Sequence, residues 1–226
     1  MADVVDWFTE HTPAWEHVLV RGQPPQKMRA LLVGPYDGRC LRWLFDNVLT
    51  HPGSTAVVID RFDYPDIVSM RGRNVRYPAA EVEATFKQRM RVELRERRIR
   101  IVRKEPHDAL IHEKRDTYDL VYIDARGSRH ALETAVLVFR LMAPDGLLII
   151  TNNTHGERHD AACPRRGIDG FLDAYAPYLH VLRQGFHVFV QKRMVPLDIE
   201  ECAAEYFVRP TSSFPKQRKK QTMARR

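Results

Sequence analysis

One pattern constrains this chain more than any other: short apolar runs without polar alternation, each followed by a stretch of helical periodicity. "ALLVG", "TAVVID", "IRIVR", "YDLVYID" and "LLIIT" read as strands. Runs that are apolar throughout suit strands covered on both faces. Strands of that kind alternating with helices predict a parallel sheet wrapped by helices on both sides. "RCLRWLFDNVLT" places Leu41, Leu44, Phe45 and Val48 on one helical face. "AEVEATFKQRMRVELRER", "HALETAVLVFRLM" and "IDGFLDAYAPY" also read as helices, and "HDALIHE" as a short one. "TPAWEHVL" predicts a helix with Thr12 as N-cap and Pro13 at the first helical position. "APDG" predicts a turn ahead of "LLIIT". "HVLRQGFHVFVQKR" predicts a hairpin pivoting near Gln184 and Gly185, which adds an antiparallel edge. The pattern shows no internal repeat.

A chain of 226 residues can build one good-sized core but is thin for two domains. Residues 1–208 are expected to form that domain, with 209–226 as a basic tail. The tail holds Lys216, Arg218, Lys219, Lys220, Arg225 and Arg226 and no acid, so it carries six of the net seven positive charges. A segment this basic and this poor in apolar residues is expected to be disordered and suits nucleic acid or another anionic partner. The body is close to neutral. Its basic stretch, 87–104, sets nine Lys or Arg against Glu93 and Glu96 and is a second candidate for tracking phosphates. No apolar run nears the ~20 residues needed to cross a bilayer. The early acids of "MADVVDWFTEHTPAWEH" do not fit a secretory signal, so an intracellular protein without a membrane partner is expected. Cys40, Cys163 and Cys202 are odd in number and widely spaced, which predicts idle thiols rather than a disulfide framework.

The chemistry should lie where strands end. In open α/β sheets ligands bind beyond the carboxyl ends of the strands. The first strand runs into Gly34-Pro35-Tyr36-Asp37-Gly38, the second ends in Asp60 and the fourth in Asp124. Glycines let a ligand approach the backbone, and the next helix offers N–H groups. An acid closing the second strand can accept ribose hydroxyls. The loop departs from the Gly-x-Gly-x-x-Gly of dinucleotide sites. Pro35 removes an N–H, Tyr36 is bulky, and Asp37 puts negative charge where a pyrophosphate would lie. An adenosine bearing a cationic centre fits better, and S-adenosylmethionine is such a ligand.

"LLVGPYDGRCLRWLFDNVLTHPGSTAVVID", "YDLVYIDARGS", "AVLVFRLMAPDGLLIITNN" and "GIDGFLDAYAPYLHVLRQGFHVFVQK" together resemble small class I S-adenosylmethionine-dependent methyltransferases. The nearest group is the "type 24" methyltransferase domain of bacteria and large DNA viruses, distantly similar to catechol O-methyltransferases. The resemblance covers roughly Asp6 to Arg193. It implies a Rossmann-like, seven-stranded, mostly parallel sheet with helices on both faces and a C-terminal antiparallel β-hairpin. It also implies roles. Gly34, Pro35, Tyr36, Asp37 and Gly38 would form the loop under the methionine part. Asp60, with Arg61 beside it, would hold the ribose. Lys104 and Glu105 would lie near the adenine, and Asp124 would face the methyl-transfer centre.

The chain also departs from the pattern of those relatives. Leu32 stands where they usually carry an acid, and "IDARGSRH" displaces their histidine to His130. Asn152 and Asn153 replace an acidic or Asp-Asn pair. Asp124 with two neutral amides is a poor set for a hard cation, so no metal site is expected. Methyl transfer needs alignment and a dry pocket, and a base only where the acceptor must lose a proton. Asp124, His130 and His155 are candidate bases, and Asn152 and Asn153 could orient an acceptor. Two readings stay open: a methyltransferase of unknown acceptor, or a degenerate methyltransferase fold serving as a nucleic-acid-binding or assembly component.

Overall fold

The computed structural model describes residues 6, 8–20, 26–63, 67–70, 73–76, 79–125, 127–153 and 163–193. The chain divides into two units, Met1–Met194 and Val195–Arg226. The second, with the basic tail and Cys202, lies wholly outside the described residues, as does His155.

The strands of the first unit are β1 (Arg29–Val33), β2 (Thr55–Ile59), β3 (Ile67–Met70), β4 (Arg73–Arg76), β5 (Ile99–Val102), β6 (Tyr118–Ile123), β7 (Met142–Ile150), β8 (Leu179–Gln184) and β9 (Val188–Lys192). The helices are α1 (Thr12–Leu19), α2 (Arg39–Asn47), α3 (Ala79–Arg89), α4 (Arg91–Arg95), α5 (Pro106–Leu110), α6 (Ser128–Phe139) and α7 (Pro164–Ala174). Seven strands form one sheet in the order β5-β2-β1-β6-β7-β9-β8. Its five-strand core is parallel, and β9 is antiparallel to both β7 and β8. This is the Rossmann-like arrangement expected, hairpin included.

The period-2 geometry of strands divides the core into two layers. Ala30, Leu32, Leu120 and Tyr122 face Trp15 of α1, Leu41 and Leu44 of α2, Phe86 of α3 and Met90. Leu31, Val33, Val121 and Ile123 face Leu110 of α5, Ala135 and Val138 of α6, and Phe171 of α7. Leu32, in place of an acid, is thus a fully buried member of the first layer.

Four local expectations change. Thr12 is not an N-cap: α1 is entered from a 3₁₀ turn, Thr9–His11, and Thr12 Oγ1 donates to Thr9 O (2.9 Å). Asp6 instead holds the start of that turn, its carboxylate accepting from Phe8 N, Thr9 N and Thr9 Oγ1. The helix expected over 80–97 breaks at Met90, whose side chain is fully buried and whose backbone leaves the helical region (φ −99°, ψ 18°). "APDG" is not a free turn but part of β7, taken up as an irregularity that shifts the β6–β7 register between Tyr118 and Leu120. Finally, β3 and β4 form a separate two-stranded antiparallel sheet that the apolar pattern does not announce. Among the described residues no helix is long and apolar enough to cross a membrane.

Candidate active site at the carboxyl rim

Register brings the strand ends into one row. Val33 pairs with Ile59 and Ile123, Ile59 with Val102, and Ile123 with Ile150. The next residues, Gly34, Asp60, Arg103, Asp124 and Thr151, therefore emerge along the same edge. The β8–β9 turn joins it, since Val188 pairs with Ile150.

The glycine loop starts with Gly34 N donating to Ile59 O (3.0 Å) and closes with Gly38 N donating to Pro35 O (3.0 Å). Gly34, Tyr36 and Gly38 all have positive φ (70°, 56° and 80°). Both glycines are required by close neighbours: a Cβ on Gly34 would lie 3.2 Å from Asp124 Cβ, and one on Gly38 2.7 Å from the Phe86 ring. Tyr36 is half-buried, and Pro35 is buried with its carbonyl turned inward. Asp37 does not meet the expectation that its charge faces a ligand. Its carboxylate is fully buried, with Oδ2 2.9 Å from Arg39 Nε and 3.0 Å from Arg89 Nη1. Arg89 also donates to the Asp37 carbonyl. Asp37 thus ties the loop to α2 and α3.

At the end of β2, Asp60 is 7% exposed and its Oδ1 accepts from Phe62 N (2.8 Å). Phe62 turns back with φ 57° and packs its ring against Phe86 (5.5 Å between centroids). Arg61 bridges the ends of β2 and β5 through ion pairs with Asp63 and Glu105. Glu105 also stands at the N-cap of α5, and Lys104 is exposed beside it.

Asp124 packs against Gly34, and its Oδ1 accepts from Thr151 Oγ1 (3.0 Å) and Asn152 Nδ2 (2.8 Å). Asn152 Nδ2 also donates to Ala125 O (2.9 Å), with its backbone left-handed at φ 63°. Asn153 turns the other way. It is buried, donates to Gly185 O (3.0 Å) and receives no bond on Oδ1 among the described residues. It anchors the β8–β9 turn and borders an open cleft of about 720 Å³ against Arg165, Asp169 and Gln184. His130 sits in the first turn of α6, its ring 6.1 Å from that of His107 on α5. Nearby, His107 Nε2 and Arg129 Nε both approach Glu133. Asp60, Glu105, Asp124 and Asn152 thus lie along one edge, with Asn152 touching Asp124, while Asp37, Asn153 and His130 serve loop, turn and helix-pair contacts. Among the described residues no group of three or more His, Cys, Asp or Glu is placed to hold a metal ion.

Of the nine basic side chains of 87–104, Arg89 and Arg98 are partly buried and the other seven are exposed, several of them paired with acids at the surface. Arg89 is on Asp37, Lys87 and Arg103 share Glu83, and Arg100 meets Glu113 (2.7 Å). Arg98 donates to the carbonyls of Leu49, His51 and Ser54. Behind the rim, burial pushes the Cys40 thiol and the Tyr122 phenol up from their ordinary ranges. Cys40 and Cys163 are buried and free. The residue that the sequence reading missed is Thr151, although as the last letter of "LLIIT" it holds the strand-end position that marks Gly34, Asp60 and Asp124.

No protein-family model and no curated protein matches this sequence. Solved structures do match its fold. A Corynebacterium glutamicum protein superposes with TM-score 0.60 at 16% identity, over 82% of each chain. The Bacillus cereus O-methyltransferase in complex with SAH gives 0.54 at 17%, over 84% of this chain and 82% of that one. The O-methyltransferase TomG of Streptomyces achromogenes, in complex with SAM, gives 0.52 at 16%, over 75% and 74%. With the strand order, the antiparallel closing hairpin and these superpositions, the chain has the class I methyltransferase fold.

Proposed function

We propose that this protein is an S-adenosylmethionine-dependent methyltransferase, with the cofactor lying along the rim from the Gly34–Gly38 loop past Asp60 to Asp124. One observation carries the reading: register places Asp60 and Asp124 on either side of Gly34, on one carboxyl edge. The local chemistry fits the ligand. Asp60 is a nearly buried acceptor suited to ribose hydroxyls. Glu105 and Arg61, joined by their ion pair, flank the place for the adenine with Lys104. The loop is no phosphate cradle, because Pro35 lacks an N–H and the guanidiniums of Arg39 and Arg89 are held by Asp37. Asp124 supplies negative charge at the mouth of the loop, which suits a ligand with an amino group and a sulfonium.

When bound, the cofactor supplies an electrophilic methyl group, and no protein side chain need form a bond to carbon. The residues of the chain align and desolvate. Calorimetric titration of S-adenosylmethionine and S-adenosylhomocysteine into the full chain tests this reading. Micromolar binding is expected, weakened in Asp60→Ala by about tenfold or more, the loss of about 1.4 kcal/mol. Absence of binding by the unaltered chain overturns it.

A further inference from the structure

Two donors from consecutive residues converge on one oxygen of Asp124. Thr151 Oγ1 lies 3.0 Å and Asn152 Nδ2 2.8 Å from the same Oδ1. Four further features show that this meeting is built rather than incidental. Thr151 is buried, and its backbone N–H donates to Ile123 O (3.0 Å), so the end of β7 is locked to the end of β6 before the side chains meet. Asn152 reaches back only because its backbone takes the left-handed conformation at φ 63°, which asparagine tolerates better than most residues. Its amide nitrogen also grips Ala125 O, the carbonyl after Asp124, so side chain and backbone of the β6 end are held together. On the opposite side Asp124 Cβ rests against Gly34, where a single added carbon would crowd it at 3.2 Å. A carboxylate pinned between two donors and a glycine has one orientation.

We propose that Thr151 and Asn152 are positioning residues, a paired clamp that orients Asp124 at the mouth of the Gly34 loop for the amino or sulfonium end of the ligand. This rests on the reading of the rim as an S-adenosylmethionine site. It assigns Asn152 a role in holding Asp124 rather than in touching an acceptor. The clamp uses neutral donors, so it preserves the negative charge of the carboxylate while removing its rotational freedom, and charge-assisted bonds of this kind are the stronger class.

The test is a double-mutant cycle on S-adenosylmethionine affinity, measured by calorimetry on the full chain, with thermal unfolding alongside. Thr151→Val keeps the shape of the side chain and removes the donor, and a loss of about tenfold is expected. Thr151→Ser restores the hydroxyl and is expected to bind within about twofold of the unaltered protein. Asn152→Gly keeps the left-handed backbone without the amide and is expected to weaken binding by about fivefold. The deciding measurement is Asp124→Ala combined with Thr151→Val. A clamp acting through Asp124 predicts that the double variant binds as Asp124→Ala does, with no further loss. Additive losses, or normal affinity in both Thr151→Val and Asn152→Gly, overturn the clamp while leaving the cofactor reading standing. Should Thr151→Val fail to fold, Asn152→Gly in the same cycle carries the decision. No binding by the unaltered chain removes both readings together.

Discussion

Gly38 shows how tightly one residue can be specified. Its φ of 80° is a conformation in which an L side chain costs about 1–2 kcal/mol. Its missing Cβ also leaves room for the Phe86 ring, which would stand 2.7 Å from that carbon. Phe86 is fully buried against Phe62 and cannot swing away cheaply. Gly38→Ala is therefore expected to destabilise the protein by about 2–4 kcal/mol, adding backbone strain to overpacking. A fall in the urea midpoint with unchanged slope would show it; an unchanged midpoint would mean that the ring yields. Asp37 next door shows the limit of reading a residue from its neighbours in sequence. In the sequence its charge faces outward toward a ligand. In the fold it turns inward to meet Arg39 and Arg89, and Arg89 lies 52 residues away.

At the scale of elements, Arg98 of the basic stretch braces a neighbouring loop. Arg98 stands just before β5 and donates to three carbonyls of the loop that joins α2 to β2, at 3.0, 2.8 and 3.2 Å. It also lies 4.8 Å over the ring of Phe45. Arg98→Ala would take the guanidinium donor from the Leu49 and Ser54 carbonyls, while His51 O keeps its bond from Ser54 N, and a loss of about 2–3 kcal/mol in chemical denaturation is expected. Arg91→Ala, on an exposed part of α4, is expected to change stability by less than about 0.5 kcal/mol. Similar small losses for both would refute the bracing role. Part of the charge of the run is met by acids that its own sequence does not show. Asp37, Glu83 and Glu113, all outside the run, offset part of its charge, while Arg91, Arg95, Arg97 and Lys104 stay exposed. The β3–β4 hairpin was hidden for a related reason. "RNVR" has one apolar residue in four, and neither period 2 nor period 3.6 can be read from it.

At the scale of the molecule, His187 joins the first helix to the last strand. Its ring is buried at the start of β9 beside Trp15 of α1, and Trp15 Nε1 donates weakly to His187 Nδ1 (3.4 Å). Burial, with a smaller contribution from nearby His11, lowers its pKa from 6.5 to about 3. A histidine held neutral in the folded state takes up its proton more readily when unfolded. The stability it contributes is thus present above pH 6.5 and is lost progressively as pH falls from there toward 3. Unfolding free energy measured across that window should decline by up to about 1.4 kcal/mol per pH unit from this group. His187→Phe should flatten that part of the profile, whereas an unchanged slope would assign it to other groups.

By itself the sequence determined the strands of the main sheet and the helices between them in outline, with the parallel core and its antiparallel edge. A strand buried on both faces must be apolar along its whole length, and a helix on a sheet must repeat every three to four residues. Both demands are local, so they are written locally. It also marked Gly34, Asp60 and Asp124, because strand ends are where those runs stop. Only the tertiary structure decided which polar groups meet. Thr151 and Asn152 close on Asp124 from 27 and 28 residues away, Asp37 turns to Arg89, and Asn153 leaves the rim for Gly185. Those pairings follow from strand register and helix docking, whose free energy is gathered over the whole core. No local stretch of residues encodes where they fall.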